Sequence, residues 1–289
     1  AYITDISTAG NRARNLGISG AAFGLGAIAG PALGGGLVGF GANVPLFVAA
    51  GLAGYNLLTA SLFLRETRGP EARVAFDLNK LDLVEPVMRL ITAPTINRVA
   101  LGFAAYNLAF AAFTSLLVLS LKDLFNWTPA QTSGIFVVIG LTLTTIQVAL
   151  IGGLVKRWGE YGVNRRGMAL TAISILLIPL ATTMPLLAAT WIVASSLILA
   201  IGAAFVLPTA RSLVSGLVSP SEQGVILGSL ASLTGVASAI GPIAAGWIYD
   251  QSAVACFVFE ASFAVIGMVL VGGKRHGTSL DLSARESSP

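Results

Sequence analysis

The chain has 289 residues, of which 55% are hydrophobic and only 10% carry a charge. Soluble domains have roughly 25% charged residues, so this composition excludes a soluble globular protein and indicates an all-α integral membrane protein. A single histidine (His276) and a single cysteine (Cys256) argue against a metal centre built on several such ligands. The sequence contains no Walker A motif or other cofactor-binding pattern, and we expect no cofactor.

Eight segments are long and apolar enough to cross a bilayer, which takes about 20 residues at a rise of about 1.5 Å each. They lie near 16–39, 43–64, 96–121, 131–155, 167–184, 187–210, 224–249 and 252–272. We expect residues 1–64 to end one helical unit, 65–95 to form a cytoplasmic linker, 96–273 to form a six-helix unit, and the polar tail 274–289 to be disordered.

The linker contains one segment with helical periodicity. Its apolar residues Leu81, Val84, Met88 and Ile91 predict either an amphipathic helix on the membrane surface or a packed linker helix.

Basic residues mark one side of the membrane. Of the 17 Lys and Arg residues, only Lys122 falls on the flanks near 40–43, 122–130, 184–187 and 250–252. Eight spans with both termini in the cytoplasm explain this distribution. The net charge of +4 is therefore a topology signal, and the expected partner is the lipid bilayer rather than nucleic acid.

A glycine–proline pattern occurs in the first span and again in the seventh. Proline is disfavoured inside helices, so two membrane helices that share it indicate a duplicated unit. The aligned pairs are Gly17 with Gly228, Gly24 with Gly235, Gly30-Pro31 with Gly241-Pro242, and Gly35 with Gly246. The spacing of six spans fits the parallel repeats of transporters, and a twelve-span protein would need about four more helices before Ala1.

Two motifs resemble those of the major facilitator superfamily. The first resembles the antiporter motif in the fifth helix of twelve-span drug/proton antiporters, and it comprises Gly17, Gly26, Gly30, Pro31, Gly34 and Gly35. Residues 1–14 resemble the start of that helix in tetracycline/proton antiporters. The second resembles the cytoplasmic loop signature of the second half, with Lys156 where an acid is common, and it comprises Gly153, Arg157, Gly159, Arg165 and Arg166.

The resemblance implies a major facilitator fold fragment whose eight spans correspond to helices five to twelve. It also implies proton-coupled efflux of small amphipathic compounds, drug or tetracycline-like, across the bacterial inner membrane. We expect a monomer when the protein has its full length.

The third and fourth spans carry candidate substrate-binding residues. They are Phe103, Tyr106, Asn107 and Phe110 in the third span, with Thr114 on the same stripe, and Thr144 and Gln147 in the fourth. Amides at bilayer depth need partners or water, and aromatic rings flanked by amides suit a planar ligand. In the resembling fold these helices line the central cavity. Hydrogen bonding between helices without ligand contact is the alternative interpretation.

Glu260 is the carboxylate that lies deep in a predicted span, and it is a candidate for proton coupling. Its position in what would be the twelfth helix, usually outside the cavity, favours a structural role instead. For Gly30 and Pro31, a role in the conformational change competes with ordinary tight packing.

Three other functions compete with proton-driven export. One is a major facilitator transporter of a sugar or other metabolite, by symport or facilitated diffusion. Another is a receptor or scaffold that transports nothing. A membrane enzyme is disfavoured, because Glu260 has no cluster of titratable groups around it in the sequence pattern.

Overall fold

The computed structural model describes residues 26, 29–30, 33–34, 37, 40–41, 43–64, 85–94, 96–218 and 222–272. The regular elements there are helices, which are α1 (Val44–Phe63), α2 (Glu85–Thr92), α3 (Asn97–Phe125), α4 (Pro129–Thr145), α5 (Ile151–Thr182), α6 (Ala188–Gly216), α7 (Gln223–Tyr249) and α8 (Ala253–Gly272). A π-helical segment, Ile146–Leu150, joins α4 to α5, and the 3-10 turn Pro185–Leu187 precedes α6. The predicted all-α membrane class is confirmed for these residues.

The run from α4 through α5 contains two membrane crossings. Pro129–Thr182 is helical over 54 residues, far longer than a hydrocarbon core of about 30 Å requires. The run breaks at Gly159, where φ is 70° and ψ is 161°, a conformation that favours glycine. The sequence predicted a longer loop, between 155 and 167. The first crossing ends and the second begins at Gly159, because polar residues outside the hydrocarbon core remain helical on both sides of it. Hydropathy does not detect these polar helical turns.

The six long helices from α3 onward form one bundle. Helix α3 packs against α7 and α8, and α5 packs against α6 and α8, while α4 lies mainly on α6. One cluster of buried side chains surrounds Tyr106 and Met168, and a second surrounds Phe113 and Phe257. Both clusters include residues of α3, α5, α6 and α8, so these four helices form the packed centre of the bundle.

Glycines allow the closest helix crossings. A Cβ on Gly267 of α8 would lie 2.6 Å from the carbonyl oxygen of Gly102 in α3. A Cβ on Gly202 of α6 would lie 2.7 Å from the carbonyl oxygen of Gly167 in α5. Backbones that approach this closely gain van der Waals contact, the main attraction between helices in lipid.

Helix α1 differs from the bundle helices because none of its residues is buried. Helix α2 packs against α7 and the start of α3, with Leu90 fully buried. This contact favours the packed linker helix over a surface helix. Of the predicted stripe, Met88 is 48% exposed and Ile91 is half-buried, while Leu81 and Val84 lie outside the described residues.

Candidate functional site

The predicted aromatic residues of α3 form a stack along one side of the helix. The ring of Tyr106 lies 6.3 Å from that of Phe103 and 5.8 Å from that of Phe110, measured between centroids. Tyr106 is fully buried and Phe103 is only 3% exposed, whereas Phe110 is half-buried between the two clusters. Of the three, Phe110 is therefore the ring with free surface in this conformation.

Asn107 and Thr114 lie on the same stripe of α3 as Phe103 and Phe110, with Tyr106 beside it. Both are half-buried, and helical spacing places them on the same side as Ala111, Val118 and Lys122. The amide nitrogen of Asn107 donates to the carbonyl oxygen of Phe103 at 2.8 Å, and the Thr114 hydroxyl donates to that of Phe110 at 2.8 Å. These bonds satisfy donors within the helix and leave the outward parts of both side chains accessible.

Thr144 and Gln147 lie where α4 passes into the π-helical segment. The backbone N–H of Ile151 donates to the carbonyl oxygen of Ile146, five residues earlier, so the helix is wider here than an α-helix. Both predicted site residues are half-buried. Single π-helical turns are frequent at functional sites, and hydropathy gives no signal for one.

Glu260 is fully buried on α8, roughly 10 Å from the first residue of the helix by helical rise. The thiol of Cys256, one turn earlier, lies 3.6 Å from Glu260 Oε1 and 3.3 Å from the carbonyl oxygen of Ala245 in α7. Its single S–H can donate to one of these at a time. Glu260 Oε2 has no hydrogen-bond partner among the described residues. An unpaired carboxylate is costly to bury.

The two glycine–proline motifs have different surroundings. In the first, a Cβ on Gly26, Gly30 or Gly34 would meet no described atom within 4 Å, and Gly17, Pro31 and Gly35 lie outside the described residues. In the second, a Cβ on Gly241 would lie 2.5 Å from the carbonyl oxygen of Leu108. Gly241 is thus a packing contact between α7 and α3, whereas a Cβ on Gly228, Gly235 or Gly246 would meet no described atom within 4 Å.

The cytoplasmic loop motif surrounds the break at Gly159. The guanidinium carbon of Arg166 lies 4.4 Å from the centroid of the Trp158 ring, within cation–π range, and that of Arg157 lies at 6.0 Å. Arg165 covers the end of α8, where a Cβ on Gly272 would be 2.8 Å from its Nε. A Cβ on Gly153 would meet no atom of the described residues within 4 Å.

Two polar contacts at the same end of the bundle were not predicted. The Ser212 hydroxyl donates to Glu160 Oε1 at 2.5 Å. This bond connects the end of α6 to the part of α5 that begins after the break at Gly159. Arg89 of α2 forms a 2.6 Å ion pair with Glu222 at the start of α7. Each joins residues far apart in sequence, so no local pattern could have revealed it.

Comparisons with known proteins match this architecture. The family model described as Major Facilitator Superfamily matches residues 1–187 and 99–287. The class G tetracycline resistance protein of Vibrio anguillarum is 31% identical over 254 residues, and the class C protein of Escherichia coli is 30% identical over 256 residues. These alignments cover 87% and 88% of the chain and 62% of each relative, so the chain spans less than two thirds of their length.

A solved structure has the same fold. The crystal structure of the human organic anion transporter MFSD10 (TETRAN) matches with a TM-score of 0.70 and 26% sequence identity. The match covers 93% of the chain and 66% of that structure. The resemblance inferred from the motifs is thereby confirmed.

Proposed function

Because the chain belongs to the Major Facilitator Superfamily, we propose that it works as a secondary active transporter that exports small amphipathic compounds in exchange for protons. The observation that carries this proposal is the identity of about 30% with tetracycline resistance proteins over almost nine tenths of the chain. The antiporter motif around Gly30 is a further part of this resemblance to proton-driven exporters.

The proposed substrate surface is the side of α3 and α4 that the bundle leaves open. Asn107, Thr144 and Gln147 would contact the substrate with their amide and hydroxyl groups, and Phe110 would contact its apolar surface. Phe103 and Tyr106 support this surface from behind, since both are buried in the described conformation. They would contact substrate directly only after a rearrangement of α3.

Movement between two states would come from rocking of one helical unit against the other. Residues 1–64 would belong to one unit and residues 96–273 to the other, with the linker between them. Gly30 and Pro31 would lie at the moving contact, because glycine permits close approach of a second helix and proline bends its own. No described atom lies within 4 Å of a Cβ on Gly30, which leaves room for a neighbour that approaches during part of the cycle.

Proton coupling is assigned to Glu260. The buried carboxyl with one unpartnered oxygen supports this assignment, and so does its contact with Cys256, which also reaches the carbonyl oxygen of Ala245 on α7. A change in the packing of α7 against α8 would alter the surroundings of the carboxyl. Such a change would couple proton binding to helix movement.

The proposed membrane is the bacterial inner membrane, with the end that carries Arg157, Arg165 and Arg166 in the cytoplasm. The supporting observation is the concentration of basic residues on that side. In the functional form the protein would be a monomer.

Everted membrane vesicles that contain the protein test this function. Respiration acidifies their lumen, and a pH-sensitive dye reports the gradient. We expect added tetracycline to release part of the gradient and to accumulate inside the vesicles. Flux driven by a sugar or metabolite, with none for tetracycline, would indicate the alternative transporter. No flux with any compound would indicate a receptor or scaffold.

A further inference from the structure

A groove separates α3 from α4 at the end of the bundle opposite the loop motif. Its volume is about 530 Å³, within the range of pockets that hold drug-sized ligands. The lining residues that matter below are Ser115, Val118, Lys122, Trp127, Ser133 and Phe136. We refer to this cavity as the Lys122 groove.

The groove exists because the connection between the two helices is short and fixed. Asn126 adopts the left-handed conformation with φ of 54°, and Thr128 and Gln131 form a reciprocal capping box at the start of α4. Helix α4 then packs mainly on α6 and makes little contact with α3. A cleft with a rigid closed end is left between them.

The chemistry of the walls is specific. Lys122 supplies an ammonium group, and within the described part of the chain it has no carboxylate within 4 Å. The neighbouring Asp123 is about 100° around the helix from it. Trp127 and Phe136 supply aromatic surface, and Ser115 and Ser133 bring hydroxyl groups to the same cavity. A cation, two rings and two hydroxyls suit a planar ligand with an anionic group at one edge.

We propose that the Lys122 groove binds aromatic anions, such as aromatic carboxylates. Lys122 would pair with the anionic group, Ser115 or Ser133 would donate to it, and the rings would enclose the apolar part. Lys122 lies 15 residues beyond Asn107 on α3, about 22 Å by helical rise, while Ser115 at the near end of the groove directly follows Thr114, so the groove extends the proposed substrate surface toward the end of the bundle. The proposal concerns binding and does not depend on transport.

The competing interpretation is that Lys122 and Trp127 anchor the helix ends in the lipid head-group region. Both roles use the same side chains, but they predict different binding of small ligands. An anchor has no selectivity for a small aromatic anion in a bilayer of zwitterionic lipid, whereas a binding site has.

Equilibrium dialysis of 2-naphthoate against the protein in phosphatidylcholine nanodiscs at low salt tests the site. The neutral isostere 2-naphthamide is the matched ligand, and nanodiscs without protein give the lipid background. We expect saturable binding of 2-naphthoate above that background. Binding of 2-naphthamide should be weaker by about tenfold or more, which corresponds to the loss of one hydrogen bond to a charged group. This comparison needs no variant.

Variants then locate the site. Lys122→Gln is expected to weaken 2-naphthoate binding by about tenfold or more, while Lys122→Arg keeps it within about threefold. Lys156→Gln, which removes an exposed lysine at the other end of the bundle, is the control and should change nothing. Equal binding of the two ligands, unchanged binding in Lys122→Gln, or an equal loss in Lys156→Gln would each overturn the proposal.

Discussion

Ser174 of α5 and Ser195 of α6 exchange hydrogen bonds, each hydroxyl donating to the other's backbone carbonyl oxygen at 2.8 Å. Both side chains are fully buried. Two turns or more along the same interface, Asn164 donates to the Thr209 hydroxyl at 2.9 Å. Polar contacts of this kind hold two helices together where lipid provides no hydrophobic driving force.

The serine pair is expected to contribute measurably to stability. Ser174→Ala and Ser195→Ala should each lower the free energy of unfolding by about 0.5–2 kcal/mol, because each removes one buried interhelical bond. The measurement is unfolding in mixed micelles with increasing dodecyl sulfate. Ser262→Ala is the control, since that exposed hydroxyl bonds within its own helix. An equal loss in the control would show that the effect is not specific to the interface.

The crossing of α5 and α6 at Gly167 and Gly202 should not tolerate a methyl group. A Cβ on Gly202 would lie 2.5 Å from Thr171 Oγ1, so Gly202→Ala should destabilise the bundle by about 1–3 kcal/mol through forced separation of the helices. Gly134→Ala, at a helical glycine with open space, should be neutral or slightly stabilising. The melting temperatures of the two variants are compared by thermal aggregation in detergent. A similar melting temperature for both variants would contradict the close packing.

Gly30 provides a test of the gating proposal. Gly30→Leu and Gly51→Leu both place a large side chain where no described atom lies within 4 Å. If a helix approaches Gly30 during the cycle, Gly30→Leu abolishes tetracycline transport, while Gly51→Leu retains most of it. Transport in vesicles with equal amounts of inserted protein gives the comparison. Full activity of Gly30→Leu would leave the motif with a packing role only.

Glu260 provides a test of proton coupling. Glu260→Gln keeps the shape of the side chain and removes the titratable group, so we expect it to bind substrate normally but to lose substrate-driven proton release. Asp250 is an exposed carboxylate at the end of α7, and Asp250→Asn should leave both substrate binding and proton release unchanged. Dye-reported proton flux and equilibrium binding are measured on the same preparations. Unimpaired coupling in Glu260→Gln would assign the carboxyl a structural role.

The sequence predicted the helices well because membrane crossing is a local property. About 20 apolar residues are enough to span the hydrocarbon core, so α1, α3, α7 and α8 were recognisable from hydropathy alone. The burial of Glu260 followed from its position within such a segment. The boundary at Gly159 was missed because charged residues on both sides remain helical outside that core.

Contacts between helices were less predictable. Gly241 packs against Leu108 of α3, and this partner depends on which helices are neighbours in the bundle. The same holds for Leu90, which is buried in place of Met88 because α7 lies on that side of α2. The aromatic residues of α3 illustrate the limit, since a helical stripe does not distinguish a ring that faces a cavity from one in the core.

The single-residue break at Gly159 has a consequence for biogenesis. Helices α4 and α5 would enter the membrane as one hairpin whose tip carries Lys156, Arg157, Arg165 and Arg166. Moving one such residue to the bilayer centre costs roughly 2.5–3.5 kcal/mol on insertion scales, and four in a compact tip would multiply that barrier. Four such charges in the tip would therefore oppose movement of the tip across the bilayer once the hairpin has inserted.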